Sequence, residues 1–223
     1  MTGKTCLIVG GGRGMGAATA REMHERGYKL ALMSPSNSCE ALAVDLGGVA
    51  HRGKAENAED TKTIFDLAMS TYDRIDAALI HVGGPPKGDL LEIGEDDWDR
   101  AHGMILKPVM QGQGGGSIVN ITTFSAFEPS LTFPTSSVYR VGVSSFAKLY
   151  SDRYGPDNIR MNCLLPGFTD SLDLPQKFAE MSALGRLARA GEQAKAAAFL
   201  LSEDSSYITG QSLRVDGGVT RHM

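Results

Sequence analysis

Residues 6–27 read CLIVGGGRGMGAATAREMHERG. An unbroken apolar run meets five glycines within seven positions and then passes into a helix-forming stretch. An apolar run without alternation is a strand buried on both faces. It therefore needs a layer of helices above the sheet and another below. A strand, a sharp turn and a helix in immediate succession leave few architectures open.

The rest of the chain repeats that order. The patterning predicts strands at Thr5–Val9, Lys29–Met33, Val49–Arg52, Ala77–Val82, Ser117–Ile121, Arg160–Leu165 and Ser212–Val215. It predicts helices at Met15–Arg26, Cys39–Leu46, Ala58–Tyr72, Glu95–His102, Ser136–Tyr154 and Glu192–Ser202. Strands alternating with helices form a mostly parallel sheet covered on both faces. The expected fold is α/β, a doubly wound, Rossmann-like sheet in a three-layer α/β/α arrangement. Its 223 residues suit one domain, 1–223. No internal repeat or linker interrupts it, and QGQGGGS at 111–117 reads as a helix-to-strand turn.

Composition narrows the partners. A net charge of −4 with no dense Lys/Arg run argues against nucleic acid and anionic membrane. Cys6, Cys39 and Cys163 are odd in number and widely spaced, which suggests neither a disulfide framework nor a metal site. The first apolar run is too short for a signal peptide or a membrane span, so the chain reads as cytoplasmic.

Gly10, Gly14 and Gly16 give the spacing G-x-x-x-G-x-G, with Gly12, Arg13 and Met15 inside the turn. Glycines allow the backbone to turn sharply and a pyrophosphate to approach main-chain N–H groups. The helix N-terminus adds unpaired N–H groups and a positive dipole end. In this strand–turn–helix context the motif points to a dinucleotide. NAD-selective sites place Asp or Glu at the end of the second strand. Here that strand ends in ALMSPSNS, with Ser34 and Ser36 and no carboxylate. Arg13 together with these serines favours NADP(H) over NAD(H).

At this point the chain resembles the short-chain dehydrogenase/reductase family over nearly its whole length. The likeness rests on the glycine turn at 10–16, DAALIHVGGPPKGDLLEIGEDDWDRA at 76–101, GGGSIVNITTFSA at 114–126, NIRMNCLLPGF at 158–168 and AAAFLLSEDSSYITGQSLRVDGG at 196–218. The resemblance implies a nicotinamide cofactor, hydride exchange between a carbonyl and an alcohol on a small molecule, and a homo-oligomer, dimer or tetramer. It places cofactor contacts at Val82, Gly83, Arg140, Pro166, Gly167 and Thr169, with Ser171 sharing the last. It also exposes departures. The family's Asn-Asn-Ala-Gly reads Ile80-His81-Val82-Gly83, and its adenine-contacting Asp reads Lys54. Its catalytic serine falls on Thr123. Its Tyr-x-x-x-Lys falls on Ser136 and Arg140, and an Asn of the helix before the fifth strand reads Ile105. That helix looks about three turns short.

The missing phenol leaves the proton donor open. A serine hydroxyl is a far weaker acid than a tyrosine, and Arg140 holds its proton at neutral pH. Tyr139 is the remaining phenol, three residues after Ser136 on a helix, where i and i+3 share a face. Packing is the alternative role for it. A relay through Thr123, Ser136 and a water is a second route. His81 is a reserve candidate, titratable near neutrality. Lys148 lies two turns beyond Arg140, and Trp98 reads as a packing residue. The leading expectation is an NADP(H)-dependent oxidoreductase acting on a ketone or secondary alcohol through Thr123, Ser136, Tyr139 and Arg140. The rivals are a cofactor-binding sensor or subunit without turnover, and an enzyme of this fold catalysing another reaction such as elimination.

Overall fold

The computed structural model describes residues 3–81, 115–172 and 174–221. Seven strands form one parallel sheet: β1 Thr5–Val9, β2 Lys29–Ser34, β3 Val49–Arg52, β4 Ala77–Ile80, β5 Gly116–Ile121, β6 Ile159–Pro166 and β7 Ser212–Val215. Their order is β3-β2-β1-β4-β5-β6-β7. The helices are α1 Gly14–Glu25, α2 Ser38–Leu46, α3 Ala58–Tyr72, α4 Pro134–Tyr154, α5 Lys177–Glu180 and α6 Ala190–Leu201. The predicted elements within the described residues all form, with ends displaced by a residue or two. The one-turn α5 was not predicted. The predicted helix Glu95–His102, Trp98 and Ile105 lie outside the described residues.

Strand alternation sorts the core into two faces. Cys6, Ile8, Leu30, Leu32, Leu79, Val119 and Leu164 pack with α1, α2 and α6. Leu7, Val9, Ala31, Met33 and Ala78 pack against α3 through Ile64 and Ala68. Ile118, Met161, Cys163 and Leu165 pack against α4 through Val143 and Ala147. All three cysteines are buried free thiols.

The C-terminal motif earns its place through hydrogen bonds. Arg160 on β6 donates to the carbonyls of Leu200, Ser202 and Ile208 and to Ser205 Oγ. Asn162 donates to the Ile208 carbonyl at 2.9 Å and accepts from Gln211 N–H at 3.0 Å. The SSYITGQ run thus partners the half-buried Arg160 and the buried Asn162, and clips β7 onto β6.

The chain winds outward through β1, β2 and β3, then returns to the other side of β1 with β4. The switch in direction lies between β1 and β4. A crevice outside the carboxyl ends of strands at such a point is where doubly wound sheets bind ligands. Among the described residues, no helix is long and apolar enough to cross a membrane.

Candidate active site

The glycine turn follows β1 at that crevice. Gly10 and Gly11 N–H both donate to the Met33 carbonyl, at 2.8 and 2.9 Å, which ties the turn to β2. The first backbone bond of α1 runs from Ala17 N–H to the Arg13 carbonyl at 3.3 Å. The amides of Gly14, Met15 and Gly16 have no backbone acceptor among the described residues, and the first turn carries no acid. That is an anion site in form.

The glycines divide the work. A Cβ on Gly10 or Gly16 would land 2.0 Å from a backbone carbonyl oxygen, that of His81 or of Gly10. One on Gly12 would come 2.4 Å from Ser34 Oγ and Ser38 Oγ. Gly14, at φ +53°, faces open space except for Ser171, whose Oγ would lie 3.1 Å from a Cβ there. Gly10 and Gly16 keep the turn tight, and Gly14 keeps the crevice clear. This cradle, bordered only by small serine side chains and lined by amides without a backbone acceptor among the described residues, fits a dinucleotide diphosphate. At its far end Ser34 is buried and its Oγ donates to the Ser36 carbonyl at 3.0 Å. Arg13 is exposed.

On the other side of the crevice, Thr123 follows β5 and caps a short 3-10 turn, its Oγ1 accepting from Ser125 N–H at 3.4 Å. Helix α4 opens at Pro134, whose lost N–H costs nothing in a first helical turn. Three of its serines tie their hydroxyls to their own helix: Ser137 to the Phe133 carbonyl, Ser144 to that of Arg140 and Ser151 to that of Lys148. The half-buried Ser136 hydroxyl has no hydrogen bond among the described residues.

One turn on, Arg140 is 5 % exposed. Its Nη1 donates to the carbonyls of Ile121 and Thr122, both at 2.8 Å. Burial lowers it to about 10, so it stays charged at neutral pH. The guanidinium is thereby fixed to the end of β5, immediately before Thr123. His81 directly follows β4, and its N–H donates to the Val9 carbonyl at 2.9 Å. Burial first, and the Arg140 charge second, lower its imidazole to about 4. It is neutral at physiological pH, and its Nδ1 has no hydrogen-bond partner among the described residues.

The other candidates fall as follows. Tyr139 is half-buried and packs against the cluster around Val143 and Met161. Lys148 is exposed and pairs with Asp152, away from the site. Lys54 gives its backbone N–H to Asp60 at 2.8 Å. Pro166 ends β6, Gly167 follows it, and Thr169 is buried where it bridges to Ala188. Val82 and Gly83 lie outside the described residues. No group of three or more His, Cys, Asp or Glu side chains gathers as a metal site among the described residues.

Two features had no sequence signal. Phe124, Phe133, Phe168 and Phe178 form a ring cluster with centroids 4.6–6.5 Å apart. It joins the residue after Thr123, the N-cap of α4, the segment after β6 and α5 in a small apolar core. Arg52 closes β3 in register with Ser34. Only the three-dimensional pairing reveals either.

Residues 10–220 match a family described as enoyl-(acyl carrier protein) reductase. Dehydrogenase/reductase SDR family member 4 of Pongo abelii is 30% identical over 247 residues, covering 98% of this chain and 88% of that protein. The 3-oxoacyl-[acyl-carrier-protein] reductase of Thermotoga maritima is 28% identical and covers 98% of each chain. Among solved structures, a mutant of a Serratia marcescens short-chain dehydrogenase/reductase superposes with a TM-score of 0.91 at 25% identity, covering 97% of this chain and 98% of its own. With the glycine cradle, the strand order and these relatives in agreement, the chain belongs to the short-chain dehydrogenase/reductase family of NAD(P)(H)-dependent oxidoreductases.

Proposed function

We propose that the protein is an NADP(H)-dependent reductase of ketones, or dehydrogenase of the matching secondary alcohols, with an altered catalytic set. One observation carries this reading: the Ser136 hydroxyl makes no hydrogen bond among the described residues, one helical turn before Arg140, whose buried guanidinium is fixed to the Ile121 and Thr122 carbonyls next to Thr123. When bound, the nicotinamide supplies or accepts the hydride. Thr123 and Ser136 orient the substrate oxygen. Ser136 Oγ–H passes its proton to that oxygen and takes another from a water. Arg140 holds the end of β5, contacts the cofactor ribose, and offsets the negative charge that grows on the oxygen. Gly10, Gly12, Arg13, Gly14, Met15 and Gly16 hold the diphosphate. Val82, Gly83, Pro166, Gly167 and Thr169 flank the nicotinamide. Ser34, Ser36 and Arg13 receive the 2′-phosphate. The packing of Tyr139 against the cluster around Val143 and Met161 supports a structural role for that phenol. The aromatic cluster that begins at Phe124, next to Thr123, favours an apolar substrate body.

The buried free thiols support a reducing cytoplasmic setting. The exposed Val138, Val141, Phe146 and Leu149 on α4 support a homo-oligomer, dimer or tetramer, which light scattering tests.

The function is tested with a panel of apolar ketones and NADPH, following loss of the reduced-nicotinamide absorbance. Turnover that falls in Ser136→Ala and persists in Tyr139→Phe supports this assignment. Turnover abolished by Tyr139→Phe alone transfers the acid role to the phenol. Coenzyme binding without turnover across the panel favours a sensor or subunit.

A further inference from the structure

We infer that Arg52, the last residue of β3, is the residue that selects the 2′-phosphate of the coenzyme, an inference that rests on the NADP(H) reading. Arg52 stands directly beside Ser34 in the parallel register, and Gly53 N–H donates to the Ser34 carbonyl at 3.0 Å. Its Nε donates to the Pro35 carbonyl at 3.2 Å, which holds the exposed guanidinium against the turn between β2 and α2. Three hydroxyls cluster at that turn. Ser36 Oγ and Ser38 Oγ are 2.6 Å apart, and Ser34 Oγ donates to the Ser36 carbonyl. Ser34 and Ser38 face the glycine turn, since both oxygens would lie 2.4 Å from a Cβ on Gly12.

The nearby acids do not cancel the charge. Asp60 already accepts from Lys54 N–H and contacts His51 Nε2 at 3.4 Å, and neither it nor the exposed Glu40 pairs with Arg52. Arg52 therefore offers Nη1 and Nη2 without a carboxylate partner among the described residues. A planar guanidinium beside hydroxyl donors suits a phosphate monoester. Arg13 is also exposed, but no hydrogen bond among the described residues holds its side chain. Arg52 is already anchored, so less side-chain freedom is lost when it meets the phosphate.

Calorimetric titration of NADPH, NADH, 2′,5′-ADP and 5′-ADP into the full-length wild type, Arg52→Gln, Arg52→Lys and Arg13→Gln tests the assignment. Arg52→Gln is expected to weaken NADPH and 2′,5′-ADP by roughly 10- to 100-fold and to leave NADH and 5′-ADP unchanged. Arg52→Lys falls between it and the wild type. Arg13→Gln has the smaller effect. A wild-type preference for NADPH that survives Arg52→Gln overturns this inference alone. So does an equal loss for all four ligands, which marks a structural role. Equal wild-type affinity for NADPH and NADH overturns the NADP(H) reading and this inference with it.

Discussion

The carbonyl oxygen of His81 lies 2.0 Å from the point that a Cβ on Gly10 would occupy. The two residues directly follow β1 and β4, the strands between which the winding direction changes. Their contact leaves no room for a side chain where the crevice begins. Gly10 also sits at φ +85°, a region that side-chain-bearing residues rarely adopt. Gly10→Ala is therefore expected to cost about 3 kcal/mol, combining backbone overlap with left-handed strain. Gly14→Ala, which meets only Ser171, is expected to cost about 1 kcal/mol while weakening coenzyme binding. Urea unfolding beside coenzyme titration separates the two effects.

Acid should weaken the fold through His81. Its folded value of about 4 lies below the ordinary 6.5, so the unfolded chain takes up the proton first as pH falls. Above about pH 6.5 both states are neutral there and nothing is lost. Between 6.5 and 4, stability drops by up to about 3 kcal/mol from this group. His81→Asn removes that slope. Urea midpoints at pH 7 and 4.5, compared between the wild type and the variant, check it.

Arg140 joins stability and function at one residue. Its two bonds to the Ile121 and Thr122 carbonyls fix the segment that presents Thr123. Arg140→Met leaves both carbonyls without that donor and is expected to cost about 2–4 kcal/mol. The rate should fall with it, since Thr123 loses its anchor. Thermal unfolding and steady-state kinetics of the variant measure both losses.

Restoring the family pair should raise activity. Ser136→Tyr combined with Arg140→Lys places a phenol and an ammonium four residues apart on α4. A tuned general acid contributes about 10²–10⁴-fold, so kcat is expected to rise about tenfold or more above the wild type. Ser136→Ala is expected to lower kcat by about 10²-fold. Stopped-flow traces with a single ketone give all three rates.

The elements could be read from the sequence because apolar runs such as CLIV and AALI end at glycines or polar turns. The cradle could be read for the same reason: glycine has few other uses between a strand and a helix. Arg140 was legible as a departure from the family pattern but not as a clamp, because its acceptors lie 18 and 19 residues back on another element. The packing of Tyr139 followed from which face of α4 meets the sheet, a rotation that spacing alone leaves open. Arg52 ends a strand like any surface arginine. Only its register with Ser34 brings it beside the turn after β2.

The most direct measurement is diffraction from crystals grown with NADPH. The expected result is diphosphate density over the amides of residues 13–16, with the nicotinamide C4 facing the Thr123 and Ser136 hydroxyls. A crevice that stays empty at saturating coenzyme, or a diphosphate bound elsewhere, contradicts the redox assignment.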